Sequence, residues 1–312
     1  MNKEPAKNLE ASVYQRLLNL SRQRNEDFNL ILTRYTVERL LYRLTRSMYA
    51  EKFILKGAML MAVWIGQSHR PTRDLDLLGS GDASSKYLKQ VFQQVCQTQV
   101  EDDGLVFEEE SIEVIEIREG QEYPGQRVKL TAKLGNARVR VQVDVGYGDA
   151  VIPEAAQIEY PSLLDFPSPR IRAYPKETVV AEKLETMIRF GMVNSRMKDF
   201  YDLHILSKTF SFDGSTLVQA IGATFSRRET KIPTEVPIAL SDDSASNSDK
   251  ITQWNAFLNR NNLESTTVNF SQLVDGLRTF LVQPLQAVTS KNTFQQNWAA
   301  GGPWSKTHEA HK

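Results

Sequence analysis

The fold is decided by Phe53-Ile54-Leu55-Lys56-Gly57-Ala58 and, shortly after it, Arg70-Pro71-Thr72-Arg73-Asp74-Leu75-Asp76-Leu77-Leu78. The first stretch is an apolar run that predicts a buried strand ending at a glycine turn. Residues 58–65 between the two stretches are apolar and have the length of a short helix. The second stretch predicts a strand that carries Asp74 and Asp76 on one face, because side chains at i and i+2 of a strand point the same way.

These two carboxylates repel each other unless a hard divalent cation lies between them. We therefore predict that Asp74 and Asp76 bind Mg²⁺ and that the turn at Gly57 lets phosphate groups approach the backbone. An Asp-x-Asp pair arises by chance about once in a chain of this length. The pair is therefore interpreted only together with the glycine turn before it and the carboxylates and lysine that follow.

The composition is that of an ordinary soluble globular protein, with 312 residues, 41% apolar and 24% charged. Lys+Arg and Asp+Glu both number 38, so the net charge points to no class of partner. Cys96 is the single cysteine, which excludes a disulfide within the chain and fits a reducing cytoplasm. No apolar run is long enough to cross a membrane, and the first ten residues lack a signal sequence. We therefore expect a cytoplasmic protein that does not enter a membrane.

The hydrophobic periodicity predicts two groups of elements. The N-terminal group has helices at 8–24, 27–49 (with Asp27 as N-cap), 58–65 and 83–98, and strands at 53–55, 75–78, 112–117, 128–134 and 139–145. The C-terminal group has helices at 176–190, 196–208, 213–225, 251–260 and 270–287. We expect an α+β protein with an N-terminal α/β domain and small mixed sheet over 1–165, a C-terminal helical domain over 166–300, and a flexible tail over 301–312.

Three charged or polar segments are predicted to lie outside the hydrophobic core. Arg39, Arg43 and Arg46 share the face of helix 27–49 opposite its apolar stripe, which predicts either a solvated face or contact with RNA phosphates. Residues 101–122 carry ten acidic residues and are interpreted as an exposed acidic edge. Residues 240–250 have the composition of a mobile loop.

Helix 176–190 contains a lysine on its apolar face, where a charged side chain is unexpected. Lys183 lies in the middle of its apolar face, whereas Glu182, Glu185 and Arg189 lie on the other side. Three explanations remain: the side chain extends to water, it forms a buried structural ion pair, or it contacts a phosphate in a cleft.

The next helix repeats the pattern with a carboxylate. Asp199 lies between leucines on the apolar face and is the candidate site residue. Asp202 lies nearer the polar side, four residues after Lys198, and is interpreted as a surface carboxylate in a helical ion pair. A helical hairpin would bring Lys183 and Asp199 together.

These residues, in their order and spacing, resemble the AbiEii/AbiGii toxin family, a branch of the DNA polymerase β-type nucleotidyltransferases. The resemblance is carried by Lys56-Gly57-Ala58, Arg70-Pro-Thr-Arg-Asp74-Leu-Asp76-Leu, Val143-Asp144-Val145-Gly146, Glu182-Lys183-Leu184-Glu185 and Arg196-Met-Lys198-Asp199-Phe-Tyr-Asp202-Leu. It implies a bilobed protein with an N-terminal polymerase β-like domain. It also implies Mg²⁺-dependent nucleotidyl transfer from an NTP, with the tRNA 3′ acceptor end as substrate, and a winged-helix antitoxin as partner.

The resemblance also assigns roles to single residues. Asp74 and Asp76 match the metal-binding pair, with Asp144 as a candidate third ligand or general base. Lys183 and Asp199 match the catalytic lysine and the aspartate of the last motif. The candidate substrate-binding residues are Lys56, Gly57, Ala58, Arg70, Thr72 and Arg73. The chain departs from the family at Ala58, where Ser or Thr is frequent, so any phosphate contact there comes from the backbone, and Thr72 is the candidate substitute hydroxyl.

Two other functions remain open. The same site is compatible with nucleotidylation or phosphorylation of a protein or a small molecule. A non-catalytic module that binds a nucleotide or a partner is the second alternative, and the intact set of Asp74, Asp76, Lys183 and Asp199 argues against it.

Overall fold

The computed structural model describes residues 8–66, 71–117, 125–263, 268–290 and 293–306. The chain forms two compact units, each built from two segments. Unit 1 comprises Met1–Gly148 and Ala156–Tyr174, and unit 2 comprises Asp149–Ala155 and Pro175–Lys312. The predicted mixture of helices and strands is confirmed.

Unit 1 is built on a mixed sheet of seven strands in the order β3-β4-β5-β2-β1-β7-β6. The strands are β1 Phe53–Lys56, β2 Asp74–Gly79, β3 Leu105–Ile117, β4 Gly125–Leu134, β5 Ala137–Tyr147, β6 Ala156–Glu159 and β7 Arg170–Ala173. The helices are α1 Leu9–Arg24, α2 Phe28–Arg46, α3 Met59–Ile65 and α4 Ser85–Gln97. Strands β1 and β2 are antiparallel, whereas β2 and β5 are parallel.

The alternation in β5 explains which face of the sheet is covered. Val139, Val141, Val143 and Val145 are all buried. The residues between them point to the opposite face, which is where the polar side chains of the site lie. The α2 helix is capped as predicted, because the Asp27 side chain accepts a hydrogen bond from the Leu30 amide at 3.0 Å. It ends earlier than predicted, at Arg46, and Met48 is 83% exposed instead of continuing the apolar stripe.

Both interpretations of Arg39 and Arg43 were wrong, because the two guanidinium groups are buried. Arg43 forms an ion pair with Asp103 at 2.6 Å, and Arg39 forms one with Glu38 at 3.0 Å. Asp103 is therefore part of the core and not of an exposed acidic edge. A buried charge is tolerated here because its partner is buried with it.

Unit 2 contains six helices among its described residues: α5 Lys176–Phe190, α6 Met197–Thr209, α7 Gly214–Arg227, α8 Asp242–Ser246, α9 Ser248–Arg260 and α10 Phe270–Ala287. It also has a small sheet that the sequence analysis missed, formed by β8 Phe212–Asp213, β9 Gln296–Trp298 and β10 Trp304–Lys306. The predicted tail therefore begins too early. Trp304 is buried and donates a hydrogen bond to the Phe280 carbonyl at 2.9 Å, while residues 307–312 lie outside the described part.

Residues 240–250 do not form the predicted loop. Ser241 and Asn247 cap α8 and α9, since each side chain accepts hydrogen bonds from amides of the first turn that follows it. Lys250 is buried, and its ammonium group donates to the Asn194 carbonyl. Serine, asparagine and aspartate are helix-capping residues as well as loop residues, so composition alone misled the prediction.

Candidate active site

Three predicted site residues lie side by side on adjacent strands of unit 1. Asp76 on β2 is in register with Lys56 on β1 and with Asp144 on β5. Residues opposite each other in neighbouring strands point to the same face. The sheet therefore brings a lysine and two carboxylates into one row, with Asp76 in the middle. Asp74 lies two residues earlier on the same face of β2 and is exposed.

Gly57 follows Lys56 directly and packs against Asp76. Its φ of +76° is a left-handed conformation that side chains disfavour. A Cβ atom at this position would lie 2.0 Å from Oδ2 of Asp76, which is a severe clash. Both constraints require glycine, and they hold the Asp76 carboxylate against the backbone of the predicted phosphate-binding turn.

The Asp144 carboxylate is held by an arginine that the sequence analysis missed. Nε and Nη2 of Arg127 donate to the two carboxylate oxygens of Asp144, each at 2.8 Å. Arg127 lies on β4 in register with Asp144. This two-pronged geometry is the strong form of an arginine–carboxylate contact. The alternation of polar residues in 127–133 was the available signal, but the register between strands was not.

The other substrate-binding candidates surround this row. The ammonium of Lys56 lies 5.4 Å from the centre of the Tyr174 ring. Ala58 is buried and precedes α3 without a side-chain cap, as its missing hydroxyl predicts. Thr72 is half-buried and Arg73 is exposed, both just before β2. Arg70 lies outside the described residues.

In unit 2, Lys183 is held by two buried carboxylates. Its ammonium lies 2.6 Å from Oδ1 of Asp199 and 2.8 Å from Oδ2 of Asp202, and each aspartate side chain is 1% exposed. The interpretation of Asp202 as a surface carboxylate was therefore wrong. The helical pattern placed it towards the polar side of α6, but that side is covered and Lys183 of α5 reaches it.

Arg196 completes this cluster from the start of α6. Its Nε donates to Oδ2 of Asp199 at 2.6 Å. Burial raises the pKa of Asp199, but the charges of Lys183 and Arg196 outweigh it and hold that pKa below its usual range. Asp199 therefore stays ionised while buried.

Glu185 was also misplaced by the helical pattern. It is fully buried and pairs with Arg228 at 2.8 Å. Arg228 additionally contacts Asp149 at 2.9 Å and Glu182 at 3.4 Å. This second cluster ties Asp149–Ala155 to the helices of unit 2.

The carboxylates of unit 1 suit Mg²⁺ by their chemistry. Asp74 and Asp76 supply hard oxygen ligands on one face of a strand. Within the described ranges, no group of three or more His, Cys, Asp or Glu side chains is arranged to hold a metal ion. Mg²⁺ is nevertheless commonly bound by one or two carboxylates together with substrate phosphates and water. A pair of aspartates beside an open turn fits that mode.

Residues 39–276 match the family model of the nucleotidyl transferase AbiEii toxin of type IV toxin–antitoxin systems. The match covers about three quarters of the chain. This chain belongs to the AbiEii family. The AbiEii match spans all the candidate residues from Lys56 to Asp202.

Two solved structures are similar to this AbiEii-family chain at low identity. One is the crystal structure of a proposed nucleotidyltransferase from H. pylori, with 13% identity, a TM-score of 0.47, and coverage of 81% of this chain and 93% of that one. The other is JHP933 from Helicobacter pylori, with 14% identity, a TM-score of 0.46, and coverage of 81% and 90%. No curated protein matches the chain.

Membership of the AbiEii family makes the protein a nucleotidyltransferase of a toxin–antitoxin system. Its substrate is accordingly an NTP, and its partner is an antitoxin. None of the helices in the described segments is long and apolar enough to cross a membrane.

Proposed function

We propose that the protein is a Mg²⁺-dependent toxin that transfers NMP from an NTP to the 3′ acceptor end of tRNA and thereby blocks translation. The observation that carries this proposal is the row of Lys56, Asp76 and Asp144, with Gly57 packed on the Asp76 carboxylate. It combines carboxylates for a metal, a cation for phosphates and a backbone turn without a side chain. The choice of tRNA follows from the family resemblance.

The residues of unit 1 would bind and orient the triphosphate. Asp74 and Asp76 would hold Mg²⁺, which when bound clamps the phosphates and lowers the pKa of the attacking 3′-hydroxyl. The amides of Gly57 and Ala58, with Lys56, Arg70, Thr72 and Arg73, are proposed to contact the triphosphate. In-line attack by the hydroxyl oxygen on the α-phosphorus breaks the bond to the β-phosphate and releases pyrophosphate. Most of the acceleration comes from positioning and charge stabilisation.

The remaining candidates have supporting roles. Asp144 is proposed either as a third metal ligand or as the base that accepts the hydroxyl proton. In the described structure each of its oxygens accepts one hydrogen bond from Arg127, which leaves further lone pairs for either role and orients the carboxylate. Lys183 is proposed to neutralise charge on the phosphates, and Asp199 to orient Lys183, which it contacts directly.

Two features of the biological setting belong to the same proposal. The antitoxin is proposed to be a winged-helix protein, and the toxin is proposed to act in the cytoplasm. The winged-helix antitoxin follows from the resemblance of the motifs to the family, whereas the cytoplasmic location rests on the composition of the sequence, in which the single Cys96 fits a reducing compartment.

The proposal is tested by incubating the purified protein with each labelled NTP and either total tRNA or a protein lysate. We expect label on tRNA and none on protein. Asp76→Ala should abolish incorporation, and Asp76→Asn should do so while keeping the packing against Gly57. The exposed Asp243 provides a matched control, since Asp243→Ala should leave incorporation unchanged. A fully active Asp76→Ala variant, or label on protein alone, would overturn the proposal.

A further inference from the structure

Unit 1 contains an open cleft of about 770 Å³ next to the candidate active site. It begins at Asp74 and continues over the polar face of β5 and β4 towards the beginning of α2. Its size is within the range of about 300–1,000 Å³ that is usual for ligand pockets. None of the residues of the family motifs beyond Arg73 and Asp74 lines it, so its lining has no role yet.

Cations dominate the lining of this cleft. Arg73, Lys129, Arg138 and Arg140 line it, against the carboxylates of Asp74 and Glu113. Such an excess of positive charge is costly to assemble unless anions or water compensate it. The cleft is therefore suited to an anionic ligand.

The cations divide into paired and unpaired ones. Arg127 is held by Asp144, and Lys133 and Arg138 both contact Glu108. Lys129 and Arg140 form no ion pair with any described residue, although they lie on the same two strands. Structural pairing thus accounts for the cations outside the cleft and for Arg138, and leaves Lys129 and Arg140 on the strands, with Arg73 beside Asp74, available inside the cleft.

The strand register gives the positions of Lys129 and Arg140 on the sheet relative to Asp74. Asp74, Gln142, Lys129 and Glu113 form one row across β2, β5, β4 and β3. Arg140 lies one row further along β5, which is about 7 Å from Gln142 at the usual rise of a strand. The positive charges therefore lead away from Asp74 along the sheet instead of gathering at one point. Such a line of charges suits an extended polyanion.

The lining also indicates how such a ligand would be recognised. The lining residues include hydroxyl and amide side chains such as Ser111, Thr131 and Gln142, and none of them is aromatic. Proteins that bind the bases of single strands usually stack them on aromatic rings. Among its described lining residues, the cleft accordingly offers contacts to phosphates and sugars and no aromatic platform for bases.

We propose that this cleft binds the phosphodiester backbone of the acceptor strand, with Lys129 and Arg140 contacting successive phosphates and the strand's 3′ end directed to Asp74. This rests on the proposed function, because it assumes that the acceptor is a nucleic acid. Binding is then independent of sequence within the cleft and sensitive to salt, since each phosphate contact releases counterions.

The test measures RNA binding separately from catalysis. The Asp76→Asn protein is titrated against a fluorescent single-stranded RNA oligonucleotide over a series of salt concentrations, with and without Lys129→Ala and Arg140→Ala. For single strands each lost contact should lower the salt slope by about 0.7, so the double variant should lose about 1.4 and bind roughly 25-fold more weakly near 0.1 M salt. Lys133→Ala is the matched control, because Lys133 lies on the same strand but is paired with Glu108.

A second measurement tests whether the cleft binds the triphosphate instead of the RNA acceptor. The KM for the NTP should be unchanged in the Lys129→Ala/Arg140→Ala variant of the active enzyme, while the KM for the RNA acceptor rises. An unchanged salt slope, an equal effect of Lys133→Ala, or a raised KM for the NTP alone would overturn the inference. If the active enzyme labels no RNA, the proposed function fails, and the titration still shows whether the cleft binds RNA.

Discussion

At the residue scale, Gly57 links the backbone of the turn to the candidate metal ligand Asp76. Gly57→Ala adds a Cβ atom that clashes with the carboxylate and also adopts a left-handed backbone. We expect strongly reduced nucleotide incorporation, together with lower stability measured by thermal unfolding. The strain of a non-glycine residue in this conformation is on the order of 1 kcal/mol by itself.

The same substitution at Gly66 separates the backbone strain of Gly57→Ala from its clash with Asp76. Its φ of +78° is nearly the same as that of Gly57, but a Cβ atom at Gly66 would meet nothing within 4 Å. Gly66→Ala should therefore cost only the backbone strain and retain activity. Equal losses of activity in the two variants would show that the contact with Asp76 has no part in the reaction.

A second prediction at this scale concerns Glu38 in the core of unit 1. Burial raises the pKa of Glu38 to about 7, although Arg39 and the Leu163 amide act in the opposite direction. The folded state then holds the proton more tightly than the unfolded state. The stabilisation is complete below the unfolded pKa of about 4.5 and is lost as the pH rises through about 7.

The free energy of unfolding should therefore fall between pH 5 and pH 8, and Glu38→Gln should flatten this slope. Glutamine resembles the protonated acid and keeps an oxygen that can accept from the Leu163 amide, now 2.8 Å away. Urea denaturation at several pH values measures the slope. The exposed Glu101 serves as control through Glu101→Gln, and an undiminished slope in the Glu38→Gln variant would contradict the assignment.

At the scale of elements, the cluster between α5 and α6 raises the question of whether Lys183 is structural or catalytic. Lys183→Ala leaves Asp199 and Asp202 buried without its ammonium group. Removing one partner of a buried pair costs about 3–5 kcal/mol, so inactivity of this variant alone proves little. We expect the variant to unfold at a clearly lower temperature than the wild type.

Adding Asp202→Asn to Lys183→Ala distinguishes a structural role of Lys183 from a catalytic one. The second change removes one buried charge, so Lys183→Ala/Asp202→Asn should regain much of the lost stability while remaining inactive in nucleotide incorporation. The exposed Lys198 on α6 is the control for removing a lysine. Activity that returns together with stability would make Lys183 a structural residue only.

Across the whole molecule, helices and strands could be predicted from the sequence better than the contacts between side chains that are distant in sequence. The alternating valines of β5 and the cap at Asp27 are local signals, and both predictions are confirmed. Arg43 was misplaced because its partner Asp103 lies 60 residues away, and nothing near Arg43 in sequence indicates that contact. The same reason applies to Asp202, whose partner Lys183 lies on the preceding helix. A helical pattern assigns a charged residue to the polar side whether water or a distant ion covers it.

The candidate site was predictable to a similar degree. The motifs predicted which residues to examine, but not that Asp76 lies in register with Lys56 and Asp144. Register between strands depends on the packing of the complete sheet, so it is absent from any local pattern. For the same reason the contact between Arg127 and Asp144 became visible only in the fold.

The division of each unit into two chain segments has a consequence for synthesis on the ribosome. Strand β7, which pairs with β1 next to Lys56, is made only after residues 149–155 have already emerged. Those residues belong to the other unit, where Asp149 binds Arg228, 79 residues further on. All strands of the sheet that carries the carboxylates have therefore been made before Arg228, which pairs with Asp149, leaves the ribosome. The unit that carries Asp74, Asp76 and Asp144 is thus synthesised in full before the helices that carry Lys183 and Asp199.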